Sequence, residues 1–403
     1  MTHGENRTLN VLLHFVFFLS GIATVLIGQV LPVLSGKFEL NDLQSGYFFP
    51  AQFAGSLTGT LLTNWFGRKG KLVLASAIGS ALMAAGMLML NRGSYELVLA
   101  AFLVNGLGVG LTLPAINVLI LERDPEVSAS ALAFLNFFWG VGAIVCKPFV
   151  DLSVRGESLW LTTGIIFAPL VGAAVLLLIL PSHTEARVQR PAEGESPHAP
   201  IWSSPMAWAI AAFNFIHVGF ESGMGGWLTT YTNRVEGGTG IHLISPTFLF
   251  FLFFVIGRGV ASYFFRFIDE NRMLLVSLTL ILIGLVIALS ADDIFQLSIG
   301  ASLSGLGTSS VFPTNISRFS KVFGAGAMRR ATPLFIAGTS GATVITWLIG
   351  FLSNTTGSIR SGMFVLIVSI ALLLALQLLL AFKGAVGFGD PPCSEIEGPK
   401  VVD

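Results

Sequence analysis

Charge is the first scarcity. Asp, Glu, Lys and Arg make up 11% of 403 residues, against about 25% in a soluble domain, which excludes an ordinary water-soluble fold. With 53% hydrophobic residues and a mean hydropathy of +0.80, the chain reads as an integral membrane protein. Its 22 basic and 22 acidic residues balance, which by itself says nothing about acidic partners; no nucleic acid is expected. Cysteine is nearly missing: Cys146 falls in an apolar run and Cys393 in a polar tail, so no disulfide framework is expected. HExxH, GxSxG, Walker and dinucleotide motifs are all missing, which speaks against an enzyme and against a bound cofactor or metal. No cleavable signal pattern is read at the start, where the first apolar run is long enough to span.

What is present is hydrocarbon. Twelve apolar runs of about 20 residues, the length a bilayer core demands, lie near 11–34, 43–65, 72–90, 96–121, 129–152, 159–180, 203–231, 245–266, 273–290, 294–317, 332–353 and 361–382. Each is predicted helical, because lipid offers no partner to a bare backbone group. With both termini in the cytoplasm, 15 Lys and Arg fall in inner segments, five in outer segments and two, Lys147 and Arg258, within spans. This is the positive-inside pattern.

The stretch PSHTEARVQRPAEGESPHAP (181–200) is rich in proline, charge and small polar residues and has six spans on each side; it reads as a linker. The expected organisation is an N-terminal bundle over 1–180, a cytoplasmic linker over 181–201, a C-terminal bundle over 202–383 and a cytoplasmic tail over 384–403. The halves also repeat. GLGVGLTLP (106–114) and GLGTSSVFP (305–313) share Gly-Leu-Gly, five residues and a proline at an offset of 199. Glycines let helices approach and each proline frees a carbonyl, so the offset favours two related six-helix bundles.

TLLTNWFGRKGK (60–71), between the second and third spans, resembles the loop signature of the major facilitator superfamily. Asn64 takes the acid-or-amide place, Gly67, Arg68 and Lys69 follow, and the leading glycine falls on Thr60. A glycine turn presents cations to nearby helix C-termini, which makes Asn64, Gly67 and Arg68 candidate gating residues; plain positive-inside topology is the alternative. HVGFESGMGGWL (217–228), AFLNFFWGVGA (133–143), IGRGVASYFFR (256–266) and VFPTNIS (311–317) are similar to the fucose–proton symporter and bacterial hexose transporter branch. The resemblance implies an all-α membrane protein of twelve transmembrane helices in two pseudo-symmetric six-helix bundles. It also implies a monomer in the plasma (bacterial inner) membrane, with Asn136 on the asparagine associated with sugar binding. Two carboxylates of the proton-coupled members are missing: their places fall on Gly28, beside Gln29, and on Leu111.

The seventh span holds Glu221 within roughly 4 Å of mid-membrane at 1.5 Å per residue. A charge there costs at least about 2.5–3.5 kcal/mol, so it should face protein or water. Asn214, His217, Glu221 and Gly225 recur at helical spacing as one polar stripe expected to line a cavity. Three roles stand open for Glu221: binding a hydroxyl-rich solute, exchanging a coupling proton or sodium ion, or pairing permanently with Arg258. His217, one turn away, is a candidate proton shuttle or a simple hydrogen-bond donor.

In the fifth span Asn136, Trp139, Gly140, Ala143 and Lys147 share a face. An amide and an indole suit a sugar's hydroxyls and C–H faces, and helix packing is the alternative. Lys147 is expected to snorkel to the outer interface. Asn315, Thr339, Thr343 and Trp347 are the second half's candidate binding residues, although membrane hydroxyls often bond their own backbone. Trp227 is a cavity cap or a member of the interfacial aromatic belt. The function these residues point to is secondary active transport of a small polyhydroxylated solute, a hexose or related sugar, as cation-coupled symport. A uniporter or drug-efflux antiporter is the alternative, and a transporter-like membrane sensor the alternative of another class.

Overall fold

The computed structural model describes residues 3–91, 93–123, 128–180, 201–237, 243–264, 269–324 and 330–385. All of the predicted linker 181–201 except Ile201, and nearly all of the predicted tail, lie outside the described residues. The helices are α1 (His3–Lys37), a short α2 (Asp42–Gly46), α3 (Phe48–Arg68), α4 (Leu72–Met89), α5 (Tyr95–Arg123), α6 (Ser128–Ser153), α7 (Trp160–Ile179), α8 (Pro205–Glu236), α9 (Pro246–Phe264), α10 (Glu270–Leu289), α11 (Ile294–Phe323), α12 (Thr332–Thr356) and α13 (Ile359–Ala385). Leaving α2 aside, they are the twelve expected spans. Eight are long and apolar enough to cross a bilayer by length and composition. α11 is more polar because it buries Ser304, Thr308, Ser309, Ser310, Thr314 and Asn315 among its neighbours, groups that lipid would leave unsatisfied.

The two halves use one packing plan. In the first, α3 and α4 flank α5, α1 packs on α6, and α4 packs on α7. In the second, α9 and α10 flank α11, α8 packs on α12, and α10 packs on α13. Between the halves, α1 meets α8, while α6 meets α9 as α3 meets α12. The repeated Gly-Leu-Gly explains part of this. A Cβ at Gly106 would run into the Gln52 carbonyl of α3, and one at Gly305 into the Phe250 carbonyl of α9. Gly108 lies likewise against Met83 of α4, and Gly307 against Ile281 of α10. The same two glycines let the central helix of each half touch the same two neighbours.

One end of the molecule is closed between the halves. It carries the end of α1, all of α2, and the ends of α8 and α12. Hydrogen bonds cross between the halves here: Gln29 with Gly225 and Thr229, and Asp42 with Arg234 and Ser353. Asn41 caps α2 through a reciprocal box with Gln44, at 2.8 and 3.0 Å, which fixes Asp42 on the seam.

Candidate functional site

The closed end is built in three layers. Innermost, Thr229 Oγ1 donates to Gln29 Oε1 at 2.7 Å, Thr247 Oγ1 lies 2.9 Å from Thr229 Oγ1, and Gln29 Nε2 donates to the Gly225 carbonyl at 3.4 Å. All three side chains are buried. Next, Trp227 is fully buried, donates from Nε1 to the Thr346 carbonyl at 2.9 Å, and packs on Phe49 with centroids 5.7 Å apart. Buried in the seam, it is not part of an exposed aromatic belt. Outermost, Arg234 holds Asp42 with both terminal guanidinium nitrogens, and Ser353 donates to the same carboxylate.

Glu221 sits midway along α8, beyond the innermost layer. Its side chain is 22% exposed, and its carboxylate lies 3.7 Å from His217 Nε2. The Arg258 guanidinium of α9 lies within electrostatic range of it and covers the Phe254 ring at 4.2 Å. The rest of the stripe is drier than expected. His217 is fully buried and neither ring nitrogen has a hydrogen-bond partner. Asn214 is sealed against α12, donating to the Leu334 carbonyl at 2.9 Å. Glycine carries the approach of α1: a Cβ on Gly28 would fall 2.8 Å from Gly226 Cα and closer still to the Gly225 carbonyl. The branch's aspartate would not fit at this position in this state. The other aligned place, Leu111, is buried inside the first half beside α3 and α4, away from the seam.

On α6, Gly140 faces Val255 of α9, so the face it shares with Asn136 points at the other half. Asn136 is exposed one turn further from the closed end and donates to its own Leu132 carbonyl at 2.8 Å. Trp139 is half-buried, and its buried indole N–H has no partner. Lys147 corrects an expectation. It does not snorkel: it is buried and paired with Asp151, one turn on, because a dry ammonium is stabilised by a carboxylate more than by a long reach for water.

The second half's candidates separate. Asn315 is buried and donates to the Ile210 carbonyl at 3.2 Å, tying α11 to α8. Thr339 and Thr343 bond carbonyls one turn back, at 3.2 and 2.9 Å. Trp347 stacks on Phe351 at 5.3 Å, with its backbone beside Gly46 on the seam.

At the opposite end, α3 stops where Gly70 adopts φ 67° and Lys69 rests on the Trp65 ring at 3.7 Å. Asn64 and Arg68 are exposed, and among the described residues they make no ion pair or hydrogen bond. Sequence reasoning missed the network at the same end of the second half. There Glu270 accepts from Ser317 at 2.6 Å and pairs with Lys321 at 2.9 Å, while Arg318 donates to Asn271 and Gln377.

Residues 13–268 match the family described as Major Facilitator Superfamily. The chain belongs to the major facilitator superfamily. Its relatives include the glucose/mannose transporter GlcP of Bacillus subtilis, 26% identical over 86% of this chain and 89% of that one. A glucose/galactose transporter of Brucella abortus is likewise 26% identical, over 86% and 87%. Among solved structures, the Escherichia coli fucose:proton symporter FucP in the outward conformation superposes with a TM-score of 0.60 at 18% identity, covering 92% of this chain and 98% of that one. The fold is that of the resemblance seen in the sequence. Members of this superfamily are membrane transporters, not enzymes.

Proposed function

We propose that this protein carries a hexose or related polyhydroxylated solute across a bacterial inner membrane by alternating access, coupled to a cation through Glu221. The observation that carries the proposal is Glu221 itself: an acidic side chain midway along a membrane helix, only partly buried, near Arg258 and beneath a sealed seam. A charge so placed is costly unless water and solute reach it. The two sugar-transporting relatives, each matched over most of its length, support the solute class. Asn136 on the inter-bundle face of α6 and the unpartnered indole N–H of Trp139 supply groups for hydroxyls.

The positive-inside pattern sets the closed end outside and both termini inside. The state is then inward-facing, and the exposed Arg68 belongs to a cytoplasmic latch that is open. Glu221 and Arg258 act as a switch, pairing in one state and parting in another; His217 relays the proton where the cation is a proton. Downhill uniport is the second reading, favoured by Gly28 and Leu111 at the branch's carboxylate places. Counterflow in proteoliposomes, with a panel of radiolabelled sugars and imposed proton or sodium gradients, tests both. Gradient-driven accumulation supports coupling, equilibration alone supports uniport, and no sugar flux overturns the sugar assignment.

A further inference from the structure

We propose that Gln29 and Thr229 form an outer subsite that binds hydroxyls of the incoming solute when the seam opens. The inference rests on the inward-facing, sugar-transporting assignment above and adds a site to it. In the closed seam, hydrogen bonds run one way: with Thr229 donating to Gln29, Thr247 must donate to Thr229, and Gln29 donates to the Gly225 carbonyl. The chain joins α1 to α8 and α9, and Gln29, Thr229 and Thr247 are buried.

A seam whose only task was to close would be served by apolar side chains, because burying an amide and two hydroxyls gains little even when all are bonded. The polarity has a use once the halves part at this end. Gln29 then loses Thr229 and the Gly225 carbonyl but keeps the Val25 carbonyl of its own helix, so its amide oxygen and second N–H face the gap from one wall and the Thr229 hydroxyl, still beside Thr247, from the other. A solute hydroxyl both donates and accepts, so it replaces the lost bonds on either wall. Thr229 lies two turns beyond Glu221, about 12 Å along the helix, so the subsite is met before the central carboxylate. Closing the outer end would then return Gln29 to Thr229 and release the solute inward. The hydrogen bonds that seal the seam and those that hold the solute are made by the same atoms in turn.

The test uses the full chain in proteoliposomes, with D-glucose as probe. Gln29→Leu and Thr229→Val should each raise the half-saturating concentration for entry from the outer side about tenfold, and leave that for efflux from the inner side unchanged. A seal-only role predicts an unchanged or lowered outer value, and that result overturns the proposal. The second measurement reads access and protection at the seam. Thr229→Cys, in a chain with Cys146 and Cys393 replaced by alanine, should be labelled by an impermeant thiol reagent from the outside, and D-glucose should slow the labelling. Absence of outside labelling overturns the subsite, as does labelling that glucose leaves unchanged while wild type carries glucose. Should wild type move no hexose, the sugar assignment falls. Outside labelling slowed by another polyhydroxylated solute would then uphold the subsite, and labelling that no such solute slows would sink it.

Discussion

Removing the charge from Asp42 should loosen the closed end by a predictable amount. Asp42 is held by both nitrogens of Arg234 and by Ser353, so one carboxylate joins α2 to the ends of α8 and α12. Arg234 is 45% exposed and Asp42 12% exposed, which places the pair between surface and interior. Exposed pairs contribute about 0.2–1 kcal/mol, and the two-pronged geometry with a shielded carboxylate puts this one near the upper limit, about 1 kcal/mol. At 1.4 kcal/mol per tenfold, that is a factor of about five in the balance between closed and open seams. Nitroxides at the exposed positions Glu157 and Thr355, on opposite halves at this end, report that balance as a distance distribution. In Asp42→Asn the long-distance population should grow about fivefold, Arg234→Gln should do the same, and the double variant should add little to either. An unchanged distribution in all three would refute the latch.

Other consequences are separate from the latch. Lys147→Met takes its paired ammonium from the largely buried Asp151 and should cost up to about 3–5 kcal/mol, seen as a fall in detergent melting temperature. Lys147→Met with Asp151→Leu should recover most of that loss; failure to recover would mean that the pair has other tasks. Gly28→Ala places a methyl against the α8 backbone and should hold the outer seam apart, with raised outside labelling when combined with Thr229→Cys. Asn136→Ala should weaken sugar binding by about 1 kcal/mol, one net hydrogen bond, with expression intact. Unchanged affinity would assign Asn136 to helix packing.

The spans were legible because bilayer thickness and backbone pairing leave so few solutions. The Gly-Leu-Gly repeat was legible because only glycine permits the approaches that Gly106 and Gly305 make. α11 runs to Phe323, beyond the expected 317, because Arg318 and Lys321, which looked like the end of a span, are held by α10 and α13. Lys147 was misplaced for want of one step: Asp151 stands at the spacing of one helical turn, where an ion pair is expected. The seam was not legible. Thr229 is 200 residues from Gln29, and Ser353 is 311 from Asp42. Nothing local distinguishes those polar residues from others that bond their own helix, such as Thr339 and Thr343. Only the docking of the two halves selects them.

Glu221 is the residue on which coupling of solute movement to a cation turns. The direct measurement is Glu221→Gln in proteoliposomes, with counterflow and gradient-driven accumulation of D-glucose recorded on the same preparation across pH and sodium. Counterflow should persist while accumulation falls to equilibrium level. Accumulation at the wild-type level under every condition would contradict the account.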